Sequence, residues 1–250
     1  MYHRVNADKL SNSRQILEKH FEYIKDHFQV VLPGEVLAKD LINLCIVFDD
    51  ASYSFYRYVL PLIQRIGLRV VLAVPTKYIL DSGDHVPSNV RLSVPTDKMM
   101  EGKYYVELAP FCSWKELSDI SASGVVKIAS HSYSHPNLLK SPNIKEEVFK
   151  SKEILEARLY QAVDTFVHPY GQFNASILKY VRSYYRYNFA VGAGDNKTWD
   201  GVDGVLFRMY ADDLRDPDSI FSRANLKKYG MLRIALYAKK WFMDRKPSAN

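Results

Sequence analysis

The chain has 250 residues, 47% hydrophobic and 25% charged, with no low-complexity stretch; this suits a single folded core and excludes fibrous, repetitive and intrinsically disordered classes. No apolar run approaches the roughly 20 residues that span a bilayer, and the opening MYHRVNADKL lacks the charged-then-apolar order of a secretion signal, so a cytoplasmic protein is expected. The formal net charge of +6 is lopsided, with +7 in residues 222–250 and −1 in the rest; that stretch is expected either to present a solvated basic face or to meet an anionic surface or phosphate-bearing substrate, and no nucleic-acid partner is expected.

Ile16, Leu17, His20, Phe21, Ile24 and Phe28 recur at helical spacing and predict a helix over 11–28. QVVLP then reads as a short strand, and LINLCIVF (41–48) as a strand buried on both faces of a parallel sheet, ending on Asp49 and Asp50. A helix from about Tyr53 to Ile66 closes on Gly67, and RVVLAVP (69–75) supplies the next strand. Residues 76–112 carry turn-forming punctuation without periodicity and read as an excursion across the face where strands end. SWKELSDISASG forms a helix with Ser113 as N-cap and Gly124 beyond its end, and VVKIAS (125–130) runs as a strand into His131. A helix over 144–162, a short strand in DTFVHPYG, a helix over 174–186 and strands in NFAVGA and VLFRMY complete the series.

This alternation predicts an α/β fold with parallel strands, and the polar motifs at successive strand ends favour a β/α barrel in one domain. The alternative, a doubly wound sheet, lacks the glycine-rich phosphate turn after its first strand. The chain divides into a main unit over 1–215 and a basic helical extension over 216–250, in which Leu226, Ile234, Tyr237 and Trp241 share an imperfect apolar face. Cys45 and Cys112 lie in apolar surroundings and read as buried thiols in a reducing compartment rather than a disulfide framework.

Asp49 and Asp50 place two adjacent carboxylates at the end of a buried strand, a costly arrangement unless a proton or a cation compensates it. HSYSH offers His131 and His135 four residues apart at another strand end, where one turn can aim both imidazoles at one ion. Imidazole with carboxylate suits zinc and neighbouring first-row metals.

VFDD, then SWKELSDISASG leading to ASHSYSHPNL, then FVHPYG resemble the motif succession of NodB-type polysaccharide deacetylases, carbohydrate esterase family four, over about Tyr2 to Met209. The resemblance implies a distorted (β/α) barrel that removes N-acetyl groups from an amino sugar of a glycan or glycan precursor. It also implies one divalent metal, zinc being the expected ion, held by Asp50, His131 and His135. Asp49 would be the base that takes a proton from the attacking water, and the backbone N–H of Tyr170 would stabilise the oxyanion.

The sequence departs from this pattern in three places. Ala51 and Ser52 follow the aspartates where glycine is usual, Val167 stands where an arginine orients the base, and no Leu-X-His motif near the C-terminus supplies the acid. The opening YHRV resembles the circularly permuted, exopolysaccharide-type members, in which the acid histidine comes first; His3 would then protonate the departing amine, and Arg208 of LFRM would replace the missing arginine.

His20 and His27 are expected at the surface or in packing, His85 in solvent, His168 lining the pocket, and Trp114 in the core. Two rival functions share the fold: a catalytically silent glycan-binding or complex-forming barrel, and an amino-sugar deformylase. The basic extension adds an expected contact with a peripheral membrane surface or a phosphate-linked glycan.

Overall fold

The computed structural model describes residues 1–250 except 193, 194, 213, 218–221, 223, 226, 233 and 236–250. Its apolar runs form one parallel sheet of β1 (Val47–Phe48), β2 (Val70–Val74), β3 (Val126–Ser130), β4 (Thr165–Val167), β5 (Tyr187–Val191) and β6 (Leu206–Arg208), hydrogen-bonded in that order. Parallel neighbours that follow one another in sequence need a crossover at every step. The sheet accordingly curls as a half-barrel in a single domain, the β/α architecture that the alternation predicts.

Period-two alternation explains the two apolar layers. Val47, Val71, Ala73, Ala129, Val167, Phe189 and Leu206 fill the concave side, while Phe48, Leu72, Ile128 and Phe166 belong to the layer that the helices cover. The principal helices are α1 (Arg14–His27), α2 (Leu60–Ile66), α3 (Trp114–Ala122), α4 (Ser151–Leu159) and α5 (Ala175–Arg182). A Ser13 cap opens α1 and a Ser113–Glu116 capping box opens α3, where these side chains satisfy backbone N–H groups that have no partner inside the helix.

Three local readings change. LINLCIVF is not one strand: Asn43–Leu44 pairs with Gln29–Val30 in a separate parallel ribbon, and only Val47–Phe48 joins the sheet. The helices expected over 53–66 and 144–162 each contain a wider π turn near their start, at Phe55–Val59 and Glu146–Lys150. The excursion over 76–112 contains short helices at Ser88–Ser93 and Gly102–Leu108, and buried Arg91 ties it down. Arg91 pairs with both oxygens of Glu116 at 2.6 and 2.9 Å and donates to the carbonyls of Ala109 and Phe111.

The first residues close part of the gap between β1 and β6. Tyr2 N–H donates to the Val47 carbonyl at 2.8 Å, Asp49 N–H donates to the Tyr2 carbonyl at 2.9 Å, and Ala211 N–H donates to the Met1 carbonyl at 2.8 Å. Of the extension over 216–250, residues 227–232 are helical and Ile234 is exposed, whereas Leu226, Tyr237 and Trp241 lie outside the described residues. Among the described residues no helix is long and apolar enough to cross a membrane.

Candidate active site

Strand direction brings the motifs together. β1, β3, β4 and β6 all end on one rim, so Asp49 and Asp50, His131 to His135, Pro169 to Gly171, and Arg208 meet there although they are far apart in sequence. Each of the first three loops turns through left-handed backbone: Asp50 has φ 68° and Ala51 φ 48°, Ser132 φ 66° and His135 φ 55°, Tyr170 φ 57°. Such conformations cost about 1–3 kcal/mol each for residues with a Cβ, and surrounding contacts must hold them. At Ala51 the contacts are visible. Its carbonyl accepts from Cys112 N–H at 2.8 Å, and Tyr53 N–H donates to the Pro110 carbonyl at 2.7 Å, so the tethered excursion clamps the aspartate loop where glycine is usual.

His131 Nδ1 lies 2.8 Å from the Val167 carbonyl and must carry the proton of that hydrogen bond, which leaves the Nε2 lone pair free. That Nε2 is 3.1 Å from His135 Nε2 and 3.6 Å from Asp50 Oδ1, and His135 Nε2 is 3.4 Å from the same oxygen. Metal bonds of about 2.0–2.2 Å in a tetrahedral centre would set ligand atoms roughly 3.3–3.6 Å apart. The three residues therefore fit a cation, and they are the group among the described residues with metal-ligand proximity. Asp50 Oδ1 is buried without a hydrogen-bond partner among the described residues.

Burial pushes the Asp50 carboxyl upward, and burial lowers both imidazoles to about 4 despite the nearby carboxylates. Both histidines are thus neutral near pH 7, the protonation state in which imidazole can ligate.

Asp49 is more deeply buried, its side chain 3% exposed against 15% for Asp50, and its environment is the opposite. Arg208 donates to Oδ1 at 2.6 Å and to Oδ2 at 3.1 Å. Burial raises the carboxyl, but the charges of Arg208, His131 and His3 and the Arg208 hydrogen bonds outweigh it and hold Asp49 well below the usual carboxylate range. Its Oδ2 lies 3.9 Å from both His131 Nε2 and His3 Nε2.

His3 hangs from the closing segment. Its Nδ1 is 2.5 Å from Asp212 Oδ2 and its backbone N–H donates to Asp212 Oδ1 at 3.2 Å. Burial works against charging His3, yet the Asp212 hydrogen bond and the charges of Asp49, Asp50 and Asp212 leave its pKa raised. Asp212 was not legible beforehand: it joins residues 209 positions apart, and only its place just after a strand end marks it.

The Tyr170 ring lies against His135, with centroids 4.9 Å apart, and its side chain is exposed. His168 does not line the pocket. It is fully buried between Phe166 and Phe173, on the helix-covered side, because it has the outward phase of Phe166 rather than the inward phase of Val167. His20 is buried 3.2 Å from the Tyr2 hydroxyl, His27 and His85 are exposed, and Trp114 is in the core.

The model of the family described as polysaccharide deacetylase matches residues 39–188. Among solved structures, IcaB from Ammonifex degensii is 19% identical with a TM-score of 0.69, over 92% of this chain and 94% of that one. Streptococcus pyogenes deacetylase PplD, in complex with acetate, is 17% identical with a TM-score of 0.68, over 88% and 94%. BC0361, a polysaccharide deacetylase from Bacillus cereus, is 15% identical with a TM-score of 0.69; 89% of this chain is covered, but it spans only 66% of that protein. These likenesses are of fold. No curated protein sequence matches. The family match covers more than half the chain, from the approach to β1 to the start of β5, and the chain belongs to the polysaccharide deacetylase family.

Proposed function

We propose that the protein is a metal-dependent carbohydrate N-deacetylase that hydrolyses the N-acetyl group of an amino sugar in a glycan or glycan precursor, giving acetate and a free amine. One observation carries this reading. Ligand-type atoms from Asp50, His131 and His135 converge, and the Asp50 oxygen among them has no hydrogen-bond partner among the described residues, beside a carboxylate kept ionised. Zinc is the ion proposed, on the chemistry of two imidazoles and one carboxylate.

When bound there, the cation would polarise the acetyl carbonyl and acidify the attacking water. Asp49 takes the proton as the water oxygen bonds to the carbonyl carbon. Arg208 holds Asp49 in place through both its oxygens. The backbone N–H of Tyr170 donates to the developing oxyanion. His3, kept charged by Asp212, gives a proton to the nitrogen as the C–N bond breaks, so the amine leaves neutral.

A second reading is a silent glycan-binding barrel. The bidentate Arg208 contact favours it, because a carboxylate held so far below the usual range is a weak base. Acetate release from a panel of N-acetylated amino sugars, with zinc and after chelation, decides between them. Metal-dependent release is expected; one tightly held ion with no release across the panel would favour the binding protein. N-formylated sugars in the same panel test the deformylase alternative.

A further inference from the structure

The two imidazoles of the metal-ligand group are held in different ways. His131 is aimed by its own ring, through Nδ1 and the Val167 carbonyl. His135 has no such tether: its Nδ1 is buried without a hydrogen-bond partner among the described residues. A ligand histidine usually donates its second ring nitrogen to a carbonyl or carboxylate, which fixes where the first one points. For His135 that direction must come from the backbone that carries it.

The turn from His131 to His135 is gripped from two sides. On one side, Thr76 and Lys77 N–H donate to the Ser132 and Tyr133 carbonyls at 3.3 and 2.8 Å, and the Tyr78 hydroxyl donates to the Ser134 carbonyl at 2.9 Å. On the other side stands Glu147. Its carbonyl accepts from Tyr133 N–H at 2.9 Å, its Oε2 from Ser134 N–H at 2.8 Å and its Oε1 from the Ser134 hydroxyl at 2.6 Å. The next residue is His135, whose N–H turns back to Ser132 Oγ at 3.0 Å. Ser132 and His135 both carry left-handed φ, so the turn holds its shape only while such contacts hold it.

Glu147 is 7% exposed, and a carboxylate withdrawn from water is costly unless hydrogen bonds satisfy its oxygens. It also sits in the π turn Glu146–Lys150, a departure from the regular helical ladder of a kind found mostly at functional sites.

We propose that Glu147 is a positioning residue for the metal centre: its carboxylate fixes Ser134 and thereby the direction of His135 Nε2, as the Val167 carbonyl does for His131. The inference rests on the metal-binding part of the deacetylase reading and is tested on zinc alone.

The experiment compares zinc affinity in the native chain, E147Q and E147D, by competition with a chromophoric chelator. Glutamine keeps the reach, since its amide oxygen accepts from Ser134 N–H while its NH2 donates to the Ser134 hydroxyl oxygen. Aspartate keeps the charge but is one methylene short. E147Q should therefore bind zinc within about threefold of native, and E147D about 10–100-fold more weakly. With cobalt(II) in place of zinc, the visible absorption, which follows ligand geometry, should change in E147D and not in E147Q. Equal affinity in all three chains overturns the proposal and leaves Glu147 a packing role. E147Q binding as weakly as E147D, or more weakly, also overturns it, by making the charge rather than the reach the cause. Ser134→Ala keeps the test open should E147D not fold: losing one of the two side-chain bonds should weaken zinc by about three- to tenfold, and no loss there overturns the proposal. A native chain that binds no zinc removes the metal centre and this inference together. Zinc binding with the E147D loss but no acetate release from any N-acetylated sugar leaves Glu147 its role and removes the deacetylase reading.

Discussion

Two neighbouring carboxylates, Asp49 and Asp50, share a strand end and a motif, yet one is complete in the protein and the other is not. Asp49 is saturated by Arg208 and flanked by His3, which Asp212 in turn holds. Asp50 Oδ1 sits between two neutral imidazoles that give it no hydrogen bond. Burial raises both carboxyls, but only Asp49 has a guanidinium hydrogen-bonded to it to reverse the effect. The contrast separates a carboxylate satisfied by the chain's own cation from a group of polar atoms that fits an added one.

The sharpest break in that comparison is loss of the cation's ligands. His131→Ala or Asp50→Asn should reduce bound zinc, measured by mass spectrometry of the dialysed protein, from one ion per chain to background. Turnover should fall about a thousandfold or more, the equivalent of several kcal/mol of lost charge stabilisation. The sign of the pH effect follows from the lowered imidazoles. Since His131 and His135 stay neutral down to about 4, metal content should be flat from pH 7 to about 5 and drop as pH approaches 4. Loss of metal already at pH 6.5 would contradict the depressed pKa values.

Next in size is the completed half. Asp49→Asn should lower acetate release about 10²–10⁴-fold while leaving zinc in place. Arg208→Met leaves the Asp49 charge buried without its partner, and should cost about 3–5 kcal/mol of stability in urea unfolding. The double variant should recover part of that loss, because it leaves neither charge stranded. If Arg208→Met is stability-neutral, the pair is not the self-sufficient unit described above.

These two halves were unequally legible in the sequence. The strands of the barrel follow from apolar runs such as RVVLAVP, and Asp50, His131 and His135 stand inside short motifs whose spacing carries their chemistry. The partners of the other half sit 159 and 209 positions apart, at Arg208–Asp49 and His3–Asp212, so closure of the barrel decides them. Asp212 had no local signature beyond its place just after a strand end. LINLCIVF misled because a run of apolar residues encodes burial rather than strand continuity, and here two different sheets share it. His168 misled through phase: one residue's shift from Val167 moves a side chain from the concave face to the helix-covered one.

Asp212→Asn should have a smaller effect, of about 10–100-fold on acetate release, by analogy with groups that orient a ligand or acid from behind. Its diagnostic is the pH profile. His3 has its pKa raised with Asp212 as a cause, so in the native protein it keeps its proton to higher pH than an ordinary imidazole. Removing the Asp212 charge should move the upper limb of kcat/KM to lower pH without moving the lower one. A uniform drop at every pH would assign Asp212 a structural role only.

The smallest effect should come from Tyr170→Ala, although the ring lies against a metal-ligand candidate. The proposed donor is the backbone N–H, which alanine keeps, and the phenol is largely exposed. What the variant must preserve is the left-handed turn at φ 57°, where tyrosine already carries the cost of a Cβ and alanine carries the same. Turnover on a small N-acetylated sugar should therefore stay within about fivefold, well under the 10²–10³ typical of losing an oxyanion donor. A drop of that larger size, with zinc content unchanged, would transfer the role from the Tyr170 backbone to its side chain.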